Sequence, residues 1–224
     1  MPDIMPLTLL WKVYPIQQDG YYTTFFHAQT SGAFVGNATY FGCHPYPPGG
    51  SSSTTHNWEI SIQNNDYTVD ANSNDTTVNK NAWYSQAASS RQTVNDTTVD
   101  FYWDLRTSVN RRITRETNVG TPLANYTTNP GLTFGDAPWQ ENVERLSGRL
   151  RGIQVYSTRL SEANIQALEA MESDAAVIAK CTALGITSLW YLNMNPAPSD
   201  ITDKSGNGHD PAWVSADHGT LWEP

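Results

Sequence analysis

This sequence is short of charge, of cysteine and of long apolar runs. Only 16% of its 224 residues are charged, against about 25% in an ordinary soluble domain. The charge present leans acidic, 13 Lys and Arg against 22 Asp and Glu, for a net −9. That sign opposes the phosphate neutralisation on which nucleic-acid binding rests, so nucleic acid is excluded as the main partner. No stretch approaches the roughly 18 uninterrupted apolar residues of a bilayer span, which excludes membrane insertion by a helix. Cys43 and Cys181 are the only cysteines, too few for a disulfide framework and without the spacing of zinc or redox sites. Two free, packed thiols are the expectation, with a Cys43–Cys181 bridge as the alternative. The start, Met1-Pro2-Asp3-Ile4-Met5-Pro6, has no basic region ahead of an apolar segment, so no signal peptide is read there.

What the sequence does have is aromatic residues, 11% of the chain with eight Trp. A chain so aromatic and so weakly charged is not disordered. At this length it buries roughly 70% of its unfolded surface, so it needs no metal or disulfide to fold. Asn37, Asn74, Asn95 and Asn125 each open an Asn-x-Thr triplet, which we read as a Thr/Asn-rich β surface rather than as glycosylation.

Short aromatic and β-branched runs, each stopped by Gly, Pro, Asn or Asp, predict strands over 7–14, 21–26, 58–62, 83–87, 97–105, 111–117, 131–135, 148–156 and 186–192. Residues 43–54 hold three prolines and two glycines and predict a long exposed loop. The pattern changes at Ser161, an N-cap followed by Ile165, Leu168 and Met171 at helical spacing. A second helical run over 173–184 ends at Gly185, placed to stop it in the left-handed region. Many short strands with one helical segment, about 161–184, make this an all-β antiparallel sandwich of two sheets with a peripheral helix.

The stretch from Gly152 to Ile165 resembles the concanavalin A-like lectin/glucanase superfamily in its laminin-G-like branch. Tyr156, Leu160, Ser161 and Ile165 hold the places of that family's strand, Leu-Ser and helix junction, with Asn164 where a glutamate usually closes a capping box. Asn81-Ala82-Trp83-Tyr84 and Val99 to Asp104 are similar to two further strands, although Leu105 replaces an expected glycine. The resemblance implies a jelly roll. It also implies an N-terminal strand followed by Asp-x-Ser-Gly-Asn-Gly, and here that element stands at the other end, Asp203 to Gly208. We therefore expect one domain over 1–224, circularly permuted, with 186–215 supplying the strand usually found first. A second, truncated module is the alternative.

The sequence offers little chemistry. The family's glucanases carry three carboxylates on one strand, and Glu59 to Gln63 lacks two of them. Asp100 and Asp104 share a strand face but lie more than twice as far apart as the roughly 5 Å of a retaining pair. We read both as solvent-facing. Arg111, Arg112 and Tyr102 are present without the Gln-x-His of jelly-roll lyases. No two histidines have metal-ligand spacing. Residues 200–210, rich in Asp, Asn and Gly, suit either a calcium site or Asx turns, and no other cofactor is implied.

Binding is the better reading. His44, Tyr46, His56 and Trp58 sit on or beside the proline-rich loop, where a sandwich carries recognition. Trp58 can instead fill the core, as Trp83 is expected to. The expectation is a non-enzymatic recognition or adhesion module that contacts a glycan or another structural protein and assembles into homo-oligomers or larger assemblies. A virion-surface protein (capsid decoration or tail), assembled in the cytoplasm and later exposed, has this composition. A polysaccharide-degrading enzyme on the same fold and a free-standing lectin are the alternatives.

Overall fold

A computed structural model describes residues 7–16, 26–29, 40–46, 57–64, 67–72, 81–92, 96–105, 111–118, 131–134, 148–171, 173–192, 201–208 and 210. Eleven strands and two helices lie within these segments. The strands are β1 (Leu7–Pro15), β2 (Phe26–Gln29), β3 (Tyr40–Tyr46), β4 (Asn57–Asn64), β5 (Tyr67–Asn72), β6 (Tyr84–Gln92), β7 (Asp96–Asp104), β8 (Arg111–Asn118), β9 (Gly131–Phe134), β10 (Gly148–Tyr156) and β11 (Ser188–Leu192). The helices, α1 (Glu162–Glu169) and α2 (Asp174–Leu184), lie between β10 and β11. One sheet runs β11-β10-β1-β6-β7-β8 and the other β5-β4-β3-β2-β9, and every described pairing is antiparallel. The expected two-sheet sandwich is the observed one. Tyr21 to Phe25, part of an expected strand, lie outside the described residues.

Each face of the six-stranded sheet buries residues against a different partner. Leu9, Trp11, Val13, Tyr84, Ala88, Phe101, Leu150, Ile153 and Val155 are buried and share one face by register. This is the sandwich interior, and β5 of the second sheet comes up against β7 and β8. The Trp11 indole donates to Gln86 Oε1 at 2.8 Å, which satisfies two polar groups in the core. On the opposite, outer face, Leu10, Ala87, Tyr102, Tyr156 and Tyr191 pack with Leu160, Ile165, Leu168, Val177 and Cys181. The helical segment is thus the roof of a second apolar core. Full burial of side chains such as Ile165 and Leu168 stabilises by about 2–3 kcal/mol each.

Local signals set these helices as expected. The Ser161 hydroxyl accepts the Asn164 N–H at 3.4 Å and the Ser173 hydroxyl accepts the Ala176 N–H at 3.3 Å, both as N-caps. Gly185 closes α2 at φ 63, and the Ile186 N–H donates to the Cys181 carbonyl at 2.9 Å. Cys181 is a free, buried thiol.

Two expectations fail here. Cys43 to Tyr46 are strand, not loop. The pairing of β3 with β2 stops at Cys43, opposite Phe26, while its pairing with β4 continues through Pro45 and Tyr46. Among the described residues β3 is paired past Cys43 on one side only, where a proline is tolerated. Asp100 and Asp104 are not solvent-facing but buried, at 3% and 5% exposure. Asp100, opposite Ser89, falls on the outer face, which a bare sandwich would leave to water but which the segment after β10 covers here. From that segment Arg159 reaches down to form an ion pair with Asp100. A register shift after Tyr102 sets Asp104 opposite Arg111 and takes it off that face.

Candidate functional site

Where the helical roof stops, the outer face of the six-stranded sheet carries a cationic and aromatic cluster. Tyr14 lies opposite Arg149, and Lys12 lies opposite Arg151 on β10 and Ser85 on β6. Trp83 immediately precedes β6 on the same side. The Arg149 guanidinium lies over the Tyr14 ring at 5.3 Å, and the Arg151 guanidinium over the Trp83 ring at 4.2 Å. The two rings meet at 5.4 Å between centroids, tilted by 55°. Each of these four side chains is half-buried.

A bulge in β10 makes this arrangement. Strict alternation over 149–155 would put Arg149, Arg151, Ile153 and Val155 on one face, mixing two cations with core residues. Instead the register shifts between Leu10 and Lys12, so that Gly152 and Ile153 together oppose Trp11. Gly152 takes the extra place at φ +60, a conformation that glycine adopts without the Cβ penalty. The shift sends Leu150 inward, where it is buried, and turns Arg149 and Arg151 outward. Period-two reading cannot see such a shift, because one extra residue exchanges the faces of everything beyond it.

Electrostatics divide the cluster in two. Lys12 Nζ lies 3.4 Å from Glu169 Oε1 and donates to the Glu169 carbonyl at 3.3 Å, at the C-terminal end of α1. The Ser85 hydroxyl donates to the same carboxylate at 2.5 Å. That cation is therefore matched by a carboxylate. The arginines are held by ring faces instead, and among the described residues the buried side-chain polar atoms without a hydrogen-bond partner are Arg149 Nε and Arg151 Nε.

The residues singled out from the sequence lie elsewhere. His44 and Tyr46 stand on β3 and Trp58 on β4, in the five-stranded sheet. The ladder sets Trp58 opposite Pro45, and His44 opposite Glu59. In a pleated pair this gives Trp58 the parity of Pro45, not that of His44 and Tyr46. His56 is outside the described residues. Trp83, expected in the core, is the correction of most consequence. It lies at the end of β6 and on the outer side, beyond the reach of the helical roof, so its ring packs under Arg151. An Arg-x-Arg pair beside a strand glycine, with aromatic residues on the neighbouring strands, was the sequence signal for this site.

The 200–210 turn is organised around Asp203. Its Oδ1 accepts the N–H groups of Tyr191 at 3.0 Å and Ser205 at 2.9 Å, and its Oδ2 accepts the Ser205 hydroxyl at 2.8 Å. Asp210 Oδ1 accepts the Asp203 N–H at 2.7 Å. These are turn and cap bonds of Asx type, and among the described residues no three His, Cys, Asp or Glu side chains gather as metal ligands. No described helix is long and apolar enough to cross a membrane.

No protein-family profile and no curated protein matches the chain. Among solved structures it is similar to a protein from Bacteroides ovatus assigned to carbohydrate binding, at 10% identity and a TM-score of 0.50 over 86% of this chain and 46% of that one. It is also similar to the enzymatically active domain of tailspike protein 2 of bacteriophage CBA120, at 16% identity and a TM-score of 0.48. That likeness covers 73% of this chain, which spans only 24% of the tailspike domain. A heptameric SAP-like pentraxin from Limulus polyphemus is similar at 15% identity and a TM-score of 0.46, over 73% of this chain and 69% of that one. The fold is a two-sheet antiparallel jelly-roll sandwich. At these identities the likeness defines the fold and nothing finer.

Proposed function

We propose that this protein is a non-catalytic recognition module that binds carbohydrate on the outer face of its six-stranded sheet. The observation that carries this reading is the Tyr14–Trp83–Arg149–Arg151 cluster. Its rings stand on or beside strands, which hold a binding surface more rigidly than loops do. Tyr and Trp rings bring large apolar area together with a polar handle, the combination that a sugar face requires. A jelly roll hosts enzymes, lectins and structural proteins alike, so the site and not the fold has to bear the function.

In the same proposal the module works in adhesion at a virion surface, as a capsid-decoration or tail protein, a setting supported by its low charge and Thr/Asn-rich sequence. The β3–β4 end, with His44, Tyr46 and Trp58 and with His56, forms a second contact region. The chain is one permuted domain, a reading supported by the pairing of β11 with β10 at the sheet edge.

A glycan array probed with the whole protein, followed by a reducing-end assay on every polysaccharide retained, tests the proposal. Retention without cleavage is expected. Cleavage would make the protein a polysaccharide-degrading enzyme, and failure to retain any glycan would overturn the carbohydrate reading.

A further inference from the structure

We propose that Arg149 and Arg151 form an oxyanion-binding pair, so that the saccharide recognised by this protein is an acidic one whose carboxylates are spaced along a sugar chain. The inference rests on the carbohydrate reading above and names the chemical class of its ligand.

Three observations carry it. First, among the described residues no carboxylate pairs with either guanidinium, while neighbouring Lys12 has its own carboxylate in Glu169. Among the described residues three cations, Lys12, Arg149 and Arg151, face one carboxylate here, that of Glu169. Secondly, each guanidinium is pinned over a ring. A stacked arginine keeps its planar fork in a fixed orientation, and that fork matches a carboxylate with two parallel donors. Thirdly, the buried Nε atoms have no acceptor. Stacking has withdrawn them from water without compensation, and such donors call for an explanation. A bound oxyanion, drawing on the whole guanidinium charge, offsets that loss.

The spacing selects among anions. Arg149 and Arg151 are two strand positions apart, about 7 Å along β10. Two isolated cations suit isolated charges carried on a sugar backbone whose apolar faces can lie against the edges of Tyr14 and Trp83. A duplex with one charge per about 1.7 Å would meet repulsion from the rest of this acidic chain. The patch therefore fits an acidic saccharide better than a nucleic acid.

The test uses the whole protein and its Arg149→Gln/Arg151→Gln variant, which retains most of each side chain's length. Both are applied to an array holding uronate-, sialate- and sulfate-bearing glycans beside their neutral cores, and to single-stranded DNA. Titration calorimetry then compares polygalacturonate with its methyl ester at two salt concentrations, and melting curves establish that the variant is folded. The wild type is expected to prefer the acid form over the ester by about tenfold or more, with the preference falling as salt rises. The double variant is expected to lose that preference while keeping its melting temperature. Arg-dependent retention of sulfated glycans alone would still support an oxyanion pair and would change the acid group from carboxylate to sulfate. Equal binding of acidic and neutral glycans, or a variant that discriminates as the wild type does, would overturn the inference while leaving the carbohydrate reading standing. Retention of no glycan overturns both, and Arg-dependent capture of DNA without glycan does the same.

Discussion

The carboxylate of Asp203 holds the backbone N–H of Tyr191 at 3.0 Å, and the next residue, Lys204, donates its own N–H to the Tyr191 carbonyl at 2.8 Å. Tyr191 stands on β11, the outermost strand of its sheet. The two bonds therefore occupy groups that an edge strand would otherwise offer to another chain. The motif from Asp203 to Gly208 is an edge cap as much as a turn.

Asp203→Ala should accordingly cost about 2–3 kcal/mol, because it leaves the Tyr191 and Ser205 N–H groups without their acceptor. Urea denaturation measures this, and light scattering should show self-association rising as the β11 edge opens. A loss below about 0.5 kcal/mol would mean that water replaces the carboxylate and that the edge is not held by it.

Gly152→Ala should destabilise by about 1–2 kcal/mol, the cost of placing a Cβ in the left-handed region. No clash adds to it, since a Cβ there would meet only Lys12 Cγ at 4.0 Å. Gly152→Val should cost more, because its branched side chain is poorly tolerated at positive φ. Thermal melting separates the two. Unchanged melting of both variants would show that the bulge lies elsewhere.

Alkaline pH should unfold the protein through its buried tyrosines. Burial raises the ionisation of Tyr156 above the ordinary 10.0, and the hydrogen bond with Cys181 raises it further. Tyr191 is raised above 10.0 by burial first and by neighbouring Asp174 second. Both stay protonated in the folded chain after the unfolded chain has begun to ionise. Their stabilisation is therefore complete below pH 10 and is lost as pH rises above it, at up to about 1.4 kcal/mol per pH unit for each. Stability curves between pH 8 and 12 check this, and Tyr156→Phe and Tyr191→Phe should each flatten the fall.

The ion pair between Asp100 and Arg159 should be asymmetric under mutation. The Asp100 side chain is 5% exposed and that of Arg159 30%. Removing Arg159 leaves a buried carboxylate without that cation, at a cost of about 2–3 kcal/mol. Removing Asp100 frees an arginine that reaches water and should cost less. A double-mutant cycle in urea reads both, and equal losses would contradict the burial argument.

Much of the fold could be read from local chemistry. Ser161, Ser173 and Gly185 mark helix ends through bonds to their immediate neighbours, and these need no tertiary partner. The strand over 148–156 was likewise visible from its alternating composition. The failures come from tertiary structure. Strict alternation leaves Asp100 and Asp104 together on one open face. The folded sheet instead covers Asp100 with the segment after β10 and turns Asp104 off that face at a register shift, and the helical cover stops short of Trp83. Proline breaks a central strand and so predicts a loop at Pro45, yet among the described residues β2 pairs with β3 only as far as Cys43.

The sequence by itself determined an antiparallel sandwich, because period-two burial, turn residues and capping side chains act within a few residues of one another. Which face each residue of β10 presents was decided only in the folded sheet. Gly152 admits a left-handed residue, but only the ladder with β1 makes that residue the extra one opposite Trp11. That single insertion buries Leu150, turns Arg149 and Arg151 toward Tyr14 and Trp83, and so assembles the candidate site from four residues that no local rule brings together.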